Sequence, residues 1–216
     1  MSRMSISALL TGQPVLFRDQ HYSAIGKVPR SGLVRLNWSG FEGDAVADPV
    51  HHGGWDKAIH LYPQEHYPFW REIMPEHDVL GAPGAFGENI ASKGMTELDL
   101  CIGDRFSMGS AIVEVSHGRQ PCWKLNHRFG APGIMSMVIS TGRAGVYFRV
   151  VREGEVEAET EMALIERPLP EWTVARVFTL LIAGGHRQEP EAVRTLAGMT
   201  LLAEAWRQRA RKLAAA

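Results

Sequence analysis

Cys122 stands between two fixed cations, Arg119 and Lys124, in the run Ser116-His117-Gly118-Arg119-Gln120-Pro121-Cys122-Trp123-Lys124-Leu125-Asn126. Neighbouring positive charge and helix N-terminal N–H groups both favour thiolate over thiol. A thiolate attacks carbon or sulfur or ligates a soft metal, and the same two cations can hold an anionic ligand beside it. A free cysteine is also commonly a small buried hydrophobe, so residue type alone leaves a packing role, a nucleophile and a ligand all open. The other cysteine, Cys101, has apolar and acidic neighbours and is expected in the core.

A second constellation is Asp48-Pro49-Val50-His51-His52-Gly53-Gly54-Trp55-Asp56-Lys57-Ala58-Ile59-His60, a glycine-bearing turn leading into a strand. Adjacent Gly53 and Gly54 let backbone N–H groups approach an anion closely, and Lys57 adds a point charge, so a phosphate-bearing ligand suits the turn. The plain alternative is a tight turn with solvated histidines. Zinc binding by His51, His52, His60 or His66 carries less weight, because no H-E-x-x-H or comparable spacing occurs. A third stretch, Gly84-Ala85-Phe86-Gly87-Glu88-Asn89-Ile90, offers Glu88 and Asn89 on a glycine-flanked turn, or simply a loop bonding its own backbone.

Positioning these side chains falls to short β segments broken by glycine and proline: Ser5 to Leu10, Val15 to Phe17, Ser23 to Val28, Ala58 to Tyr62, Ala111 to Ser116 and Val146 to Arg152. Such a series suggests a barrel or sandwich. A helix is expected after Tyr62, with Pro63 in its first turn and Tyr67, Trp70, Ile73 and Met74 at helical spacing, ending before Pro75. Short helices are expected just after Cys122 and from Gly133 to Ser140, which sets Cys122 near a helix N-terminus. From Arg167 onward the chain turns helical. Thr173 caps a segment through Ile182, Gly184-Gly185 ends it, and Pro190 opens another that stops near Gly198. Thr200 is expected to cap a last helix to about Leu213, with Leu202, Ala205, Trp206 and Leu213 on one face. Three helices in so short a tail make a marginal core of their own, so docking onto the β domain or a second subunit, including a homodimer, is expected.

At 216 residues and 45% hydrophobic, the chain can bury one sizeable core and carry a small appendage. Its formal charge of -1 gives no long-range pull on a polyanion, so nucleic acid is not an expected partner. Two distant cysteines indicate neither a disulfide framework nor a zinc ribbon. A reducing cytoplasm fits best, with no signal segment and no membrane span expected.

The ordered motifs resemble the MOSC family, named for the C-terminal domain of molybdenum cofactor sulfurase. They are Gly40-Phe41-Glu42-Gly43-Asp44, His52-Gly53-Gly54 with Lys57-Ala58, Phe86-Gly87-Glu88-Asn89-Ile90, Ile102-Gly103-Asp104 and Pro121-Cys122-Trp123-Lys124-Leu125. Their order and spacing agree from near residue 23 to near residue 165, and the tail resembles the three-helix extension of a bacterial branch known for protection against hydroxylaminopurine. The resemblance implies a mainly β fold: a MOSC-type β-barrel domain with a few helices over 1–165, followed by a three-helix domain over 166–216. It implies binding of molybdenum cofactor, with Cys122 matching the cysteine that ligates molybdenum in relatives of the mitochondrial amidoxime reducing component. Lys57, Arg119 and Lys124 would then neutralise phosphate and metal-oxo charge, with Gly53, Gly54 and Asn126 as further pocket residues and His52, Glu88 and Asn89 either lining the pocket or supporting it from behind.

The activity so implied is two-electron reduction of an N-hydroxylated small molecule to its amine. No pyridoxal-phosphate aminotransferase-like domain, iron-sulfur cysteine set or flavin fingerprint occurs, so electrons are expected from a separate donor protein. Two readings stand beside it. One is a cofactor carrier or sulfur-transfer module in which Cys122 passes a persulfide. The other is a metal-free cysteine hydrolase pairing Cys122 with His117 or His127.

Overall fold

In the computed structural model, which describes residues 2–49 and 53–215, strand β1 (Arg3–Thr11) alternates exposed and buried side chains through its first half. Met4 and Ile6 go inward on that period of two. Twelve further strands follow among the described residues: β2 (Val15–Arg18), β3 (His21–Ser23), β4 (Val28–Arg30), β5 (Val34–Asn37), β6 (Gly40–Phe41), β7 (Ile59–Pro63), β8 (Ile90–Lys93), β9 (Arg105–Met108), β10 (Ala111–Gly118), β11 (Val146–Arg152), β12 (Gly154–Val156) and β13 (Glu161–Glu166). Seven of them close into a barrel in the order β13-β9-β10-β11-β7-β8-β1, because β1 pairs back onto β13 through Arg3 with Ala163 and Ser5 with Glu161. All neighbours run antiparallel except β7 and β8, which are parallel and joined by helical turns. β4 adds to the other half of β1, and β12, β5 and β6 form a small separate sheet.

The closed sheet is filled by Ile6, Ile59, Leu61, Phe106, Val113 and Phe148, all buried. A fully buried side chain of this size contributes roughly 1.5–3 kcal/mol of transfer free energy. The mainly β class with a few helices is thus as expected, but several strands have other bounds. Ser23 to Val28 is not one strand: β3 stops at Ser23 and β4 begins at Val28. The residues between turn Lys27 inward to pair with Asp44, which a continuous pleat would not allow.

Helix α1 (Tyr67–Ile73) follows a 3₁₀ turn at Gln64–His66 and ends at Met74. Its first-turn proline is Pro68; Pro63, expected in that place, is the last residue of β7. α2 (Lys124–Arg128) and α3 (Ile134–Thr141) follow Cys122 as the turn signals indicate. The tail forms α4 (Val174–Leu181), α5 (Pro190–Gly198) and α6 (Glu204–Ala214). Thr173 Oγ1 accepts the Arg176 N–H at 3.2 Å, the expected cap.

Thr200 caps nothing. α6 starts four residues later, after Ala203, because residues 201–203 are tied to the barrel: Ala203 N–H donates to Ser116 O at 3.1 Å and Arg149 Nη2 to Leu201 O at 3.1 Å. That start rotates the helix so that Trp206 and Ala210 are buried while Ala205 is exposed. Gly118 makes the docking close. A Cβ there would meet Val174 at 3.2 Å, Phe178 at 3.3 Å and Trp206 at 3.4 Å. No helix of the described residues is long and apolar enough to cross a membrane.

Candidate functional site

β10 ends at Gly118 and delivers Arg119, whose backbone N–H donates to Gly145 O at 2.9 Å. Gly145 is itself fixed, since its N–H donates to Glu97 Oε1 at 2.6 Å while Glu97 Oε2 meets His66 Nε2 at 2.6 Å. Cys122 follows Pro121 and leads into α2, with Leu125 N–H donating to its carbonyl at 3.1 Å. Arg128 at the far end of α2 donates to Ala85 O and Gly84 O at 2.7 and 2.8 Å, locking the Cys122 segment to the Gly84–Gly87 loop across from it. In that loop Gly87 has a φ of +75°, and a Cβ would stand 2.7 Å from Ile25.

Between these elements lies a cavity of about 400 Å³. Cys122, Arg119, Lys124, Lys57, Gly53 and Gly54 line it, as does Asn89. Seven of the ten residues singled out from sequence therefore share one cavity. Asn89 acts there as a brace: its Nδ2 donates to Leu10 O at 3.2 Å and Asp44 Oδ2 at 2.8 Å, and its Oδ1 accepts the His60 N–H at 3.1 Å.

Two of the ten are not brought to the cavity, and one is not described. Glu88 is fully buried and spends its oxygens on Gly84 N–H (2.7 Å), Phe86 N–H (3.0 Å) and the Tyr67 hydroxyl (2.7 Å), shaping the loop from behind. Asn126 Oδ1 accepts Met135 N–H at 2.8 Å and braces α2 against α3. His52, like His51, lies outside the described residues. The Gly53 N–H, expected to face an anion, donates instead to Pro49 O at 3.2 Å.

Lys27, Asp44, His60 and Tyr147 also line the cavity; Lys27 and Tyr147 sit on ordinary loop and strand positions and carry no sequence signal, whereas Asp44 ends the Gly40–Asp44 motif and His60 enters the sequence reading only as a weak zinc candidate. Lys27 and Asp44 form a buried ion pair, and burial still holds the Lys27 ammonium below its usual range against the pull of Asp44. Burial likewise lowers Lys57, opposed by Asp56 and Asp48. Burial, and then the Arg119 charge, push His60 well below the usual imidazole range, so it is neutral. Burial raises the Tyr147 phenol, with Arg119 pulling it down and Cys122 pushing it further up.

The cavity is thus cationic: Arg119, Lys27, Lys57 and Lys124 face it together with Asp44 and Asp48. Arg119 is buried, and its Nη1 has no hydrogen-bond partner among the described residues. A buried guanidinium nitrogen without an acceptor points to an anionic group that the protein does not itself provide. Among the described residues no three His, Cys, Asp or Glu side chains are placed to hold a metal ion, and His66 is committed to Glu97. A metal held here through Cys122 must therefore bring its other ligands with it. A cysteine-hydrolase dyad has no support in the contacts. No hydrogen bond joins Cys122 to His117 or His127, and His127 Nε2 is bonded to Phe17 O at 2.9 Å.

Residues 48–163 match the MOSC domain family. The YflK protein of Bacillus subtilis is 38% identical over 208 residues, which span 95% of this chain and 92% of that one. A protein of Gibberella moniliformis named "Reductase" is 40% identical over 162 residues, 74% of this chain but 29% of that larger protein. The crystal structure of YiiM from Geobacillus stearothermophilus superposes with a TM-score of 0.82 at 31% identity, covering 98% of this chain and 99% of that one.

Proposed function

Because the chain belongs to the MOSC domain family, whose domains are associated with molybdenum cofactor, we propose that it is a molybdenum-cofactor-binding oxidoreductase of N-hydroxylated compounds. Hydroxylaminopurine is the representative substrate, the amine the product, and a separate protein the electron donor. The observation that carries this reading is one cavity lined by both Cys122 and a buried Arg119 whose Nη1 lacks an acceptor among the described residues. The Gibberella moniliformis relative named as a reductase supports the reaction class.

When bound, the cofactor supplies the two-electron redox centre, and the chain supplies its seat. Cys122 offers one soft sulfur ligand, which suits molybdenum better than a hard oxygen donor would. Arg119 presents the planar donors that a phosphate accepts, while Lys57 and Lys124 add point charges beside it. Lys27 stays in the wall because Asp44 holds it there. His60, neutral and buried, adds no charge to that balance. Reducing R-NHOH to R-NH2 takes two electrons and two protons and releases water, and the ammonium groups lining the cavity are suited to relay protons.

The test is metal and pterin analysis of protein from a cofactor-competent host, paired with Cys122→Ser and scored by reduction of hydroxylaminopurine with a supplied electron donor. Wild-type protein is expected to carry molybdenum and to reduce the substrate, and the variant to lose reduction. Equal activity in the two proteins overturns the assignment of Cys122. Cofactor transfer to an acceptor enzyme with no reduction by any donor overturns the reaction class.

A further inference from the structure

Cys122 borders a second cavity, of about 610 Å³. Asp48, Lys57, Cys122 and Tyr147 line both cavities and so form the partition between them. The outer cavity is of a size that takes small organic ligands. Its far wall is α6, through Ala205, Trp206, Gln208, Arg209 and Lys212, so the helical tail completes a chamber that the barrel leaves open.

One side chain lining this chamber, His117, has a ring nitrogen left unspent. Ser116 Oγ lies 2.5 Å from Asp56 O, 2.9 Å from Tyr147 O and 2.9 Å from His117 Nδ1. A hydroxyl has one hydrogen, and the two carbonyls can only accept, so that hydrogen belongs to them and His117 Nδ1 must donate to Ser116 Oγ. Burial, with Lys57 and Arg149 adding to it, holds His117 well below its usual range and keeps the ring neutral. Its Nε2 then carries a lone pair. His117 lines the chamber, and Nε2 makes no hydrogen bond to a described residue. The ring cannot swing away: it stacks on Tyr147 at 5.1 Å and 27° and meets Trp206 edge-on at 5.3 Å. An acceptor held in one orientation is selective for a ligand that donates to it.

We propose that this outer chamber is the substrate subsite, where a neutral, planar N-heteroaromatic hydroxylamine donates an N–H or O–H to His117 Nε2 and packs against Trp206. The proposal rests on the reductase reading given above. Lys57, Arg209 and Lys212 outnumber Asp48 in the lining and so disfavour a cation, while Gln120 and Gln208 supply further donors and acceptors to a heterocycle edge. His117 is a positioning residue for the substrate and acts on no cofactor atom.

The experiment measures binding by calorimetry on cofactor-free protein, with hydroxylaminopurine as the probe of the outer chamber and inorganic phosphate as the probe of the inner one. Ala205→Trp fills the chamber from an exposed helix position, so it leaves the core intact. It is expected to raise the Kd for hydroxylaminopurine at least tenfold and to leave phosphate binding unchanged. His117→Phe keeps a ring but removes the acceptor and is expected to do the same, whereas His117→Gln, which keeps an acceptor, restores binding to within about threefold. A thermal melt accompanies each variant. Hydroxylaminopurine binding by Ala205→Trp equal to wild type overturns the proposal, as does absence of binding to the wild-type protein. Loaded wild type that binds hydroxylaminopurine without reducing it refutes the reductase reading and leaves the subsite standing; intact reduction with an unchanged KM in Ala205→Trp refutes the subsite alone.

Discussion

Asp44→Ala removes the anion paired with Lys27 and tests what keeps an ammonium group in the wall of the inner cavity. Both side chains are nearly buried, at 8% and 11% exposure. Asp44 also accepts Gly12 N–H at 2.7 Å and Asn89 Nδ2 at 2.8 Å, so the substitution strands three donors at once. Removing one partner of a buried pair costs about 3–5 kcal/mol. Two neutral donors would add about 1–3 kcal/mol each if sealed, but water in the adjoining cavity can re-satisfy them, which keeps the total near the ion-pair figure. For a chain of this size about 3–5 kcal/mol corresponds to a fall in Tm of roughly 6–20 °C.

Urea unfolding and a thermal scan measure the loss, and a cycle with Lys27→Met isolates the coupling, expected at about 1.5 kcal/mol or more. The sign with pH is fixed. Lys27 is depressed in the folded state relative to 10.5, so the unfolded chain binds more protons between the two values and stability rises with pH across that window. Without Asp44 the window extends to lower pH. A loss under about 1 kcal/mol, or coupling within about 0.5 kcal/mol of zero, refutes the reasoning that the pair is desolvated and coupled.

Glu88→Gln turns an amide N–H toward backbone donors and is expected to lower stability by about 1.5–3 kcal/mol in urea, while phosphate binding in the cavity persists. An unchanged urea midpoint counts against it. His60 and His117 are both held well below the usual imidazole range, so the unfolded chain takes up their protons first on acidification. Stability is expected to fall from about pH 6.5 downward, at a limiting slope of about 1.4 kcal/mol per pH unit for each, and a flat profile between pH 6.5 and 5 in urea melts would contradict this. Trp206→Ala opens the contact between α6, Gly118 and His117 and is expected to cost about 3–5 kcal/mol in a single unfolding transition of barrel and tail. Separate calorimetric transitions in the wild-type protein would show that the tail is not part of the same cooperative unit.

Local chemistry made much of the site legible. Cys122, Arg119 and Lys124 sit within six residues, and Gly53, Gly54 and Lys57 within five, so spacing along the chain was enough to mark them. That Lys27, Asp44, His60 and Tyr147 meet was not legible, because they reach the cavity from four separate segments and only pairing of β7 with β11 and burial of Lys27 against Asp44 brings them together. Glu88 and Asn126 show the converse. A polar residue beside a glycine turn or a cysteine motif can be spent on the fold itself, as Glu88 is on two backbone N–H groups and the Tyr67 hydroxyl. Long strands such as the alternating β11 and the almost wholly buried β10 are long enough to be seen, whereas β8 and β9, four residues each, acquire their identity from their partners in the closed sheet. The start of α6 was misplaced for the same reason: Thr200 is a good local cap, but the bond from Ala203 to Ser116 decides where the helix begins.

The seam that closes the barrel joins residues 3–5 to residues 161–163. On a ribosome adding about 5–20 residues per second, the first partner emerges roughly 8–30 s before the second. Until then that half of β1 presents an unpaired edge, the template on which nascent chains of neighbouring ribosomes join one another. Yield of this protein in a host should therefore respond to translation speed and to chaperones that shield strand edges, independently of how stable the finished barrel is.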